Sequence, residues 1–270
     1  MSPPPCGNSD TQHPHPYRHP VSAASQRGFT LLTALGFLTV VTVGLAMLTP
    51  MMIRERDRHQ QEVEHHHLQE IGNGIVTFVR HHQAFPPNLA ALTPDFVPFS
   101  ASQLARNHNG FLRYLAFHPG LAGFQNSTGL QASNLVNARF LVISDLSQEA
   151  AVTIATSSDF ETWWTTNEAG TPNLQIYRGN LASHFAALTI LPQGNGGSFS
   201  IDGQPTPSNG SLLPTLAQYH LIGTEIGLDE ANIYSTPEIH FGLTSNVSYW
   251  FDPTCSVSKR WNPVHVSCGP

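Results

Sequence analysis

The sequence predicts an α+β protein: a long N-terminal helix, membrane-spanning in its first half, packed on an antiparallel-sheet globular domain. Three observations predict this. Phe29 to Met52 is an apolar run of about two dozen residues without a charged side chain. As a helix rising about 1.5 Å per residue it reaches roughly 36 Å, enough for a bilayer core of about 30 Å. The polar stretch that follows keeps a helical stripe, with Val63, Leu68, Ile71, Ile75, Phe78 and Val79 falling mostly three or four apart. From Ala138 onward the pattern changes to short β-rich segments separated by Gly, Pro, Asn and Ser.

Residues 1–27 read as a disordered polar leader, because Pro3-Pro4-Pro5 and the His-Pro steps at 13–16 and 19–20 cannot hold a helix. Residues 29 to about 83 read as one helix, weakened by Gly36, Gly44, Pro50, Gly72 and Gly74 and ended by Phe85-Pro86-Pro87. Transmembrane helices tolerate such residues better than soluble ones. Short helices are expected at Asn88–Leu92 and at Ser100–Asn107 with Ser100 as cap. Residues 108–137 are expected to be mostly loop, with one short segment at Phe111–Phe117. Strands are expected at Ala138–Ser144, Ala150–Thr156, Leu174–Arg178, Phe185–Leu191, Ser198–Asp202, Ile233–Tyr234, Glu238–Leu243 and Val247–Phe251. The glycine-rich stretch 193–197 reads as a hairpin turn into Ser198–Asp202, residues 203–214 as a loop, and Leu216–Ile222 as strand or short helix. Asp159–Glu168 reads as a short helix capped by Ser158, its Trp163 and Trp164 covering a sheet or, if exposed, offering a contact surface.

The boundary before the apolar run is abrupt. An ordinary secretory signal is cut on the far side of its apolar segment. Here Arg27-Gly28 precedes the run, and Gly28-Phe29-Thr30-Leu31-Leu32 resembles the prepilin peptidase site of type IV pilins and type II secretion pseudopilins. The resemblance continues in Pro50, about six turns into the helix, in the polar helical exit Arg54–Arg58, and in Phe85-Pro86-Pro87-Asn88-Leu89, and it covers roughly residues 26–98. It implies cleavage between Gly28 and Phe29, N-methylation of Phe29 and retention of the apolar segment as an assembly helix. The partners implied are prepilin peptidase, other pilin or pseudopilin subunits and a bacterial inner membrane, with the C-terminal domain in the periplasm. The organisation expected on this basis is a cleaved leader 1–28, an assembly helix 29–52, a helical stalk 53–84 and a periplasmic α+β domain 85–270.

One position departs from the family pattern. The fifth residue after the cut is usually Glu and here is Thr33. In the family that Glu is thought to neutralise the terminal ammonium of a neighbouring subunit, in keeping with the need to pair buried charges. A subunit lacking it resembles the large minor pseudopilin placed at the filament tip, so Thr33 favours a minor role. The C-terminal cysteines carry a further likeness. A periplasmic domain permits a disulfide between Cys255 and Cys268, which resembles the stapled C-terminal loop of many pilins and would stabilise by about 3 kcal/mol in the chain-entropy model. Two free thiols are the other reading. Cys6 would leave with the leader.

Composition narrows the function classes. Removing 28 of 270 residues leaves 242, ample for a soluble core beyond the helix. Lys and Arg number 12 against 18 Asp and Glu, with Lys259 the single lysine, so no basic footprint for nucleic acid is present. The leader carries Arg18, Arg27 and Asp10, and without it the formal charge of −6 becomes about −7. No nucleophile elbow, Ser-x-x-Lys, His-Glu-x-x-His or Cys-x-x-Cys occurs, and the 193–197 glycines lack the Lys of a phosphate loop. His59, His65-His66-His67 and His81-His82 read as a solvated helix face rather than a metal site, and Asp145, Asp159, Asp229, Glu230 and Asp252 as surface carboxylates rather than a calcium site. Three Asn-x-Ser/Thr matches, at Asn126, Asn209 and Asn246, carry little weight in so Asn- and Ser-rich a chain. No catalytic residue, metal or cofactor is expected. The alternative to a pilin-like subunit is a single-pass membrane-anchored periplasmic binding protein or enzyme, which requires a convergent polar pocket in the soluble domain.

Overall fold

The apolar run and the striped segment after it belong to one helix, α1 (Ala23–His82). The computed structural model describes residues 23–192, 197–206, 218–230, 239–251 and 261–262. The expectation of a disordered leader is corrected over Ala23–Arg27, which are helical. The proline steps that argue against helix end at Pro20, and Ala-Ala-Ser-Gln-Arg contains nothing that breaks one. The remainder of the leader lies outside the described residues.

The chain divides into two units, Met1–Asp57 and Arg58–Pro270, with the division falling inside α1. In chain order after α1 come α2 (Ala101–Ala105), β1 (Tyr114–Phe117), β2 (Leu130–Gln131), α3 (Ala132–Leu135), β3 (Arg139–Asp145), α4 (Ser157–Thr165), β4 (Leu174–Asn180), β5 (Phe185–Pro192), β6 (Gly197–Ile201), β7 (Gln204–Thr206), β8 (Gln218–Leu221), β9 (Glu225–Glu230), β10 (Ile239–Gly242), β11 (Val247–Phe251) and β12 (Trp261–Asn262).

Within the second unit, a three-stranded antiparallel sheet of order β1-β3-β4 sits between two helices. Successive residues of β3 point to opposite faces. Phe140 and Val142 join the buried stripe of α1, Leu68, Ile71, Ile75 and Val79. Leu141 and Ile143 face the other way, where Ile176, Phe160, Val152 and the two tryptophans of α4 cover them. Trp163 and Trp164 are half-buried, as the sheet-cover reading expects. Arg139 fastens this helix by pairing with Glu161 and by placing its guanidinium 4.7 Å from the Trp164 ring centre. Arg178 closes the C-terminal end of α4, donating to the carbonyls of Trp164 (2.8 Å) and Thr166 (2.7 Å).

Two further sheets, of order β12-β11-β5-β8-β2 and β10-β9-β6-β7, are built from the chain beyond β4 together with β2. Ala186, Leu188 and Ile190 of the first meet Phe199, Ile201, Ile226 and Leu228 of the second in a core of their own. One pairing corrects the purely antiparallel expectation: β11 runs parallel to β5, with Val247 opposite Leu188.

The two short helices form as the sequence predicts, the second with the expected cap Ser100. Asn88 accepts the Ala91 N–H at the head of the 3-10 turn Leu89–Leu92, and Ser100 and Gln103 make a reciprocal capping box on α2. Four expectations need correction. Ala150–Thr156 forms no strand: both edges of β3 are taken by β1 and β4, so Val152 and Ile154 lie over the sheet face instead. The cap of α4 is Thr156 rather than Ser158. β5 and β6 do not form a hairpin; they belong to different sheets, and β6 turns into β7 through Asp202-Gly203. The positive φ angles of these residues, 48° and 72°, are what a two-residue type I′ turn needs. That turn places Gln204–Thr206 in a strand within the expected loop. Asp229 and Glu230 lie on the strand β9. Leu216–Ile222 resolves as the strand β8 over Gln218–Leu221. Ile233–Tyr234 lies outside the described residues.

At the α4 cap, Thr156 Oγ1 accepts the Asp159 N–H (3.2 Å), while Asp159 accepts the N–H groups of Thr156 (2.8 Å) and Ala155 (3.1 Å). These bonds, first that from Thr156, hold the Asp159 carboxyl below its ordinary range. Thr156→Ala is expected to lower stability by about 1 kcal/mol, with Thr156→Ser close to wild type. Denaturant titration followed by tryptophan fluorescence checks this, since Trp163 and Trp164 report on α4 directly.

Candidate functional site

The most distinctive chemical surface is the first stretch of α1. Among its large apolar side chains Leu32, Phe37 and Val40 are more than 70% exposed, and exposure continues through Met51, Met52 and Ile53. The segment is long and apolar enough to cross a membrane, and none of it is buried as a soluble core helix would be. Its threonines are compatible with an apolar medium. Thr39 donates its hydroxyl to the Leu35 and Gly36 carbonyls (2.9 Å each), Thr42 to Leu38 (2.6 Å) and Thr49 to Leu45 (2.6 Å). Polar groups satisfied inside the helix need no water. Thr33 likewise donates to the Thr30 carbonyl at 3.1 Å, so the side chain at this position is neutral and engaged locally. Pro50 is inside the helix and removes one backbone donor there. A side chain built at Gly36 or Gly44 would have nothing within 4 Å, so the chain itself does not require glycine at either place.

Gly28 and Phe29 lie in the helical backbone of α1. Cys255, Cys268 and Asp252 lie outside the described residues. The helix histidines divide: His59, His65, His66, His81 and His82 are exposed, whereas His67 is half-buried with its ring 4.9 Å from that of Phe99. Asp145 accepts the Ser147 N–H (2.8 Å) and hydroxyl (2.6 Å), and Asp159 serves the α4 cap. Among the described residues no group of three or more His, Cys, Asp or Glu side chains is placed to hold a metal ion.

Two buried polar arrangements escaped the sequence reading. Glu64 occupies the α1 stripe one turn before Leu68 and is fully buried. Arg113 meets it with two parallel bonds, Nε to Oε1 at 2.6 Å and Nη2 to Oε2 at 2.7 Å. The remaining Arg113 nitrogen donates to the carbonyls of Gln103 and, at 2.8 Å, Arg106, at the end of α2. Burial alone would raise the Glu64 pKa, but the Arg113 hydrogen bonds and charge outweigh it and hold the carboxyl below its ordinary value. The available signal was a lone carboxylate interrupting an apolar stripe. The second arrangement is Asn126 with His220, which joins the segment between β1 and β2 to strand β8.

A cleft of about 410 Å³ opens beside the first pair, lined by His67, Phe99, Ser102, Arg106, Asn107 and Arg113 among others. Its buried polar residues are already committed. Arg113 is engaged as described, and Asn107 donates to Ser144 Oγ (3.2 Å) and the Asp145 carbonyl (2.8 Å) while accepting two backbone N–H groups. Such a floor braces α2 and the 106–112 loop against α1 and has little capacity left for a ligand.

No protein-family model, curated protein or solved structure matches this chain.

Proposed function

We propose that this chain is a minor type IV pilin-like or pseudopilin subunit. The observation that carries the reading is a single helix, α1, that follows Arg27-Gly28-Phe29 with an exposed, uncharged stretch and later buries the stripe Leu68, Ile71, Ile75 and Val79 in an α+β unit. Prepilin peptidase would cut between Gly28 and Phe29 and methylate Phe29. The stretch from Phe29 to Met52 would rest in the inner membrane with the C-terminal unit in the periplasm, and would pack against other subunits once drawn into the filament. Thr33 supplies no carboxylate for a neighbour's ammonium, which supports a minor, tip-side position rather than a repeating one. The protein's work on this reading is assembly and contact rather than catalysis.

The test is the mass of the N-terminal peptide from membrane-expressed protein, with and without co-expressed prepilin peptidase. A peptide starting at Phe29 with one added methyl group is the expected result. A chain that keeps Met1 to Gly28 beside active peptidase overturns the proposal.

A further inference from the structure

Four segments meet at the buried side chain of Asn126. Its Nδ2 lies 3.1 Å from Gln83 Oε1 just past α1, 2.7 Å from Asp202 Oδ2 in the β6–β7 turn and 2.7 Å from Thr224 Oγ1 before β9. Its Oδ1 accepts the Leu221 N–H of β8 at 3.0 Å. Its backbone carbonyl lies 2.6 Å from Nδ1 of His220, also on β8. Gln83 itself has φ +52°, so the chain leaves the helix in a conformation that this joint holds in place. The joint thus ties the end of α1 to both sheets of the sandwich.

The chemistry of His220 makes the joint sensitive to protons. A carbonyl can only accept, so Nδ1 carries the hydrogen and the neutral ring presents a bare lone pair at Nε2. Nε2 is buried without a hydrogen-bond partner among the described residues, and the residue as a whole is 0% exposed. The space beside it is closed by Gly129, where a Cβ would stand 2.9 Å from Nε2. A second proton would have no acceptor there and would put a charge in a closed site. The charged group bearing on the ring is the Asp202 carboxylate, and its oxygens already accept from Asn126 Nδ2 and the Glu225 N–H. The nearest groups from α1, β2 and β9 at the joint, Gln83, Gly129 and Thr224, are neutral.

We propose that His220 is an acid-operated latch, protonation of which releases Asn126 and frees the 124–131 segment and the Asp202-Gly203 turn from the end of α1. Burial pushes the His220 pKa below its ordinary 6.5, with the Asn126 bond and Asp202 only partly offsetting it. A group whose pKa is lower when closed than when open takes up its proton on opening. The closed joint is therefore undisturbed above about pH 6.5 and weakens as pH falls below it. One proton taken up shifts the opening equilibrium by at most tenfold per pH unit, or about 30-fold between pH 7.5 and 5. His118 and His184 are also lowered by burial, so global stability falls in acid as well and the test must be local.

Hydrogen–deuterium exchange of the detergent-solubilised full chain at pH 7.5 and 5, corrected for intrinsic rates, provides that readout. The expected result is loss of protection at 124–131 and 218–225 at pH 5 in wild type, reduced to the level of the rest of the fold in His220→Asn, whose amide N–H stands in for Nδ1–H but which takes up no proton. Equal protection at both pH values, or acid opening that persists in His220→Asn, overturns the proposal. If that variant does not fold, the His220 imidazole resonance of the wild type decides. Titration at 6.5 or above with the 124–131 segment still protected overturns the latch, and titration only together with opening supports it.

Discussion

Arg113→Met is expected to destabilise the fold by about 3–5 kcal/mol, because it leaves the Glu64 carboxylate buried without its ion-pair partner. The effect should exceed that of an ordinary surface pair, whose median worth is at most about 1 kcal/mol, since both side chains here are 2% exposed or less. The variant also loses the bonds from Arg113 to the carbonyls of Gln103 and Arg106, so α2 is unfastened at the same time. Replacing both partners by apolar residues, as in Glu64→Leu with Arg113→Met, should recover most of the loss, because no unpaired charge remains. The pH dependence has a definite sign. The Glu64 pKa is lowered from 4.5 in the fold, so the pair's contribution is present above about pH 4.5 and is lost as pH falls through the lower folded value. In Arg113→Met the same carboxyl keeps only the lesser help of Ser144 and His67 against desolvation, and its pKa rises instead. The gap between wild type and variant should therefore narrow as acid protonates Glu64. Denaturant titration of the two variants from pH 7 to pH 4 checks each statement. A single-variant loss below about 1 kcal/mol, with no recovery in the double variant, would refute the account.

The parts of this fold that were legible in the sequence are those set by near neighbours. Leu68, Ile71, Ile75 and Val79 share a face because helical periodicity puts them there. Ser100 caps because its side chain reaches a backbone N–H three residues on. β3, β4 and β5 follow from β-branched and aromatic runs. What was hidden depends on partners far along the chain. Glu64 and Arg113 are 49 residues apart, and Asn126 and His220 are 94 apart. No local pattern encodes such a pairing. The same holds for which strand edge is free. Ala150–Thr156 has the alternation of a strand, but β1 and β4 had already filled the edges of β3, so the segment covers the face. The apolar segment of α1 was the easiest part to read, since length and absence of charge define it without tertiary context.

The glycines give the clearest case of a local rule reversed by packing, and Gly179→Val is expected to cost about 2–3 kcal/mol although valine is the better strand former. Gly179 stands opposite Phe140 in the β3–β4 register. A Cβ placed on it would fall 2.1 Å from the Phe140 ring. Phe140 is fully buried among α1, β1 and β4 and has no solvent-side space into which to move, so the whole ring, or the strand itself, must shift. Gly72 makes the same contact with Tyr177, again at 2.1 Å, and reads from sequence only as a weak point in α1. Tyr177, however, is half-buried at the sheet edge and can swing outward. Gly72→Ala gains about 1 kcal/mol of helix propensity to set against that movement, so it should change stability by no more than about 1 kcal/mol. The contrast between the two sites is the test, because propensity alone predicts that both substitutions stabilise. Phe140→Leu added to Gly179→Val should recover part of the loss by removing the ring that the new methyl groups meet, whereas added to wild type it should only destabilise. Denaturation midpoints of the four variants decide the matter. A Gly179→Val protein as stable as wild type would mean that the β3–β4 pair tolerates a side chain there, and that Phe140 is held less tightly than its burial implies.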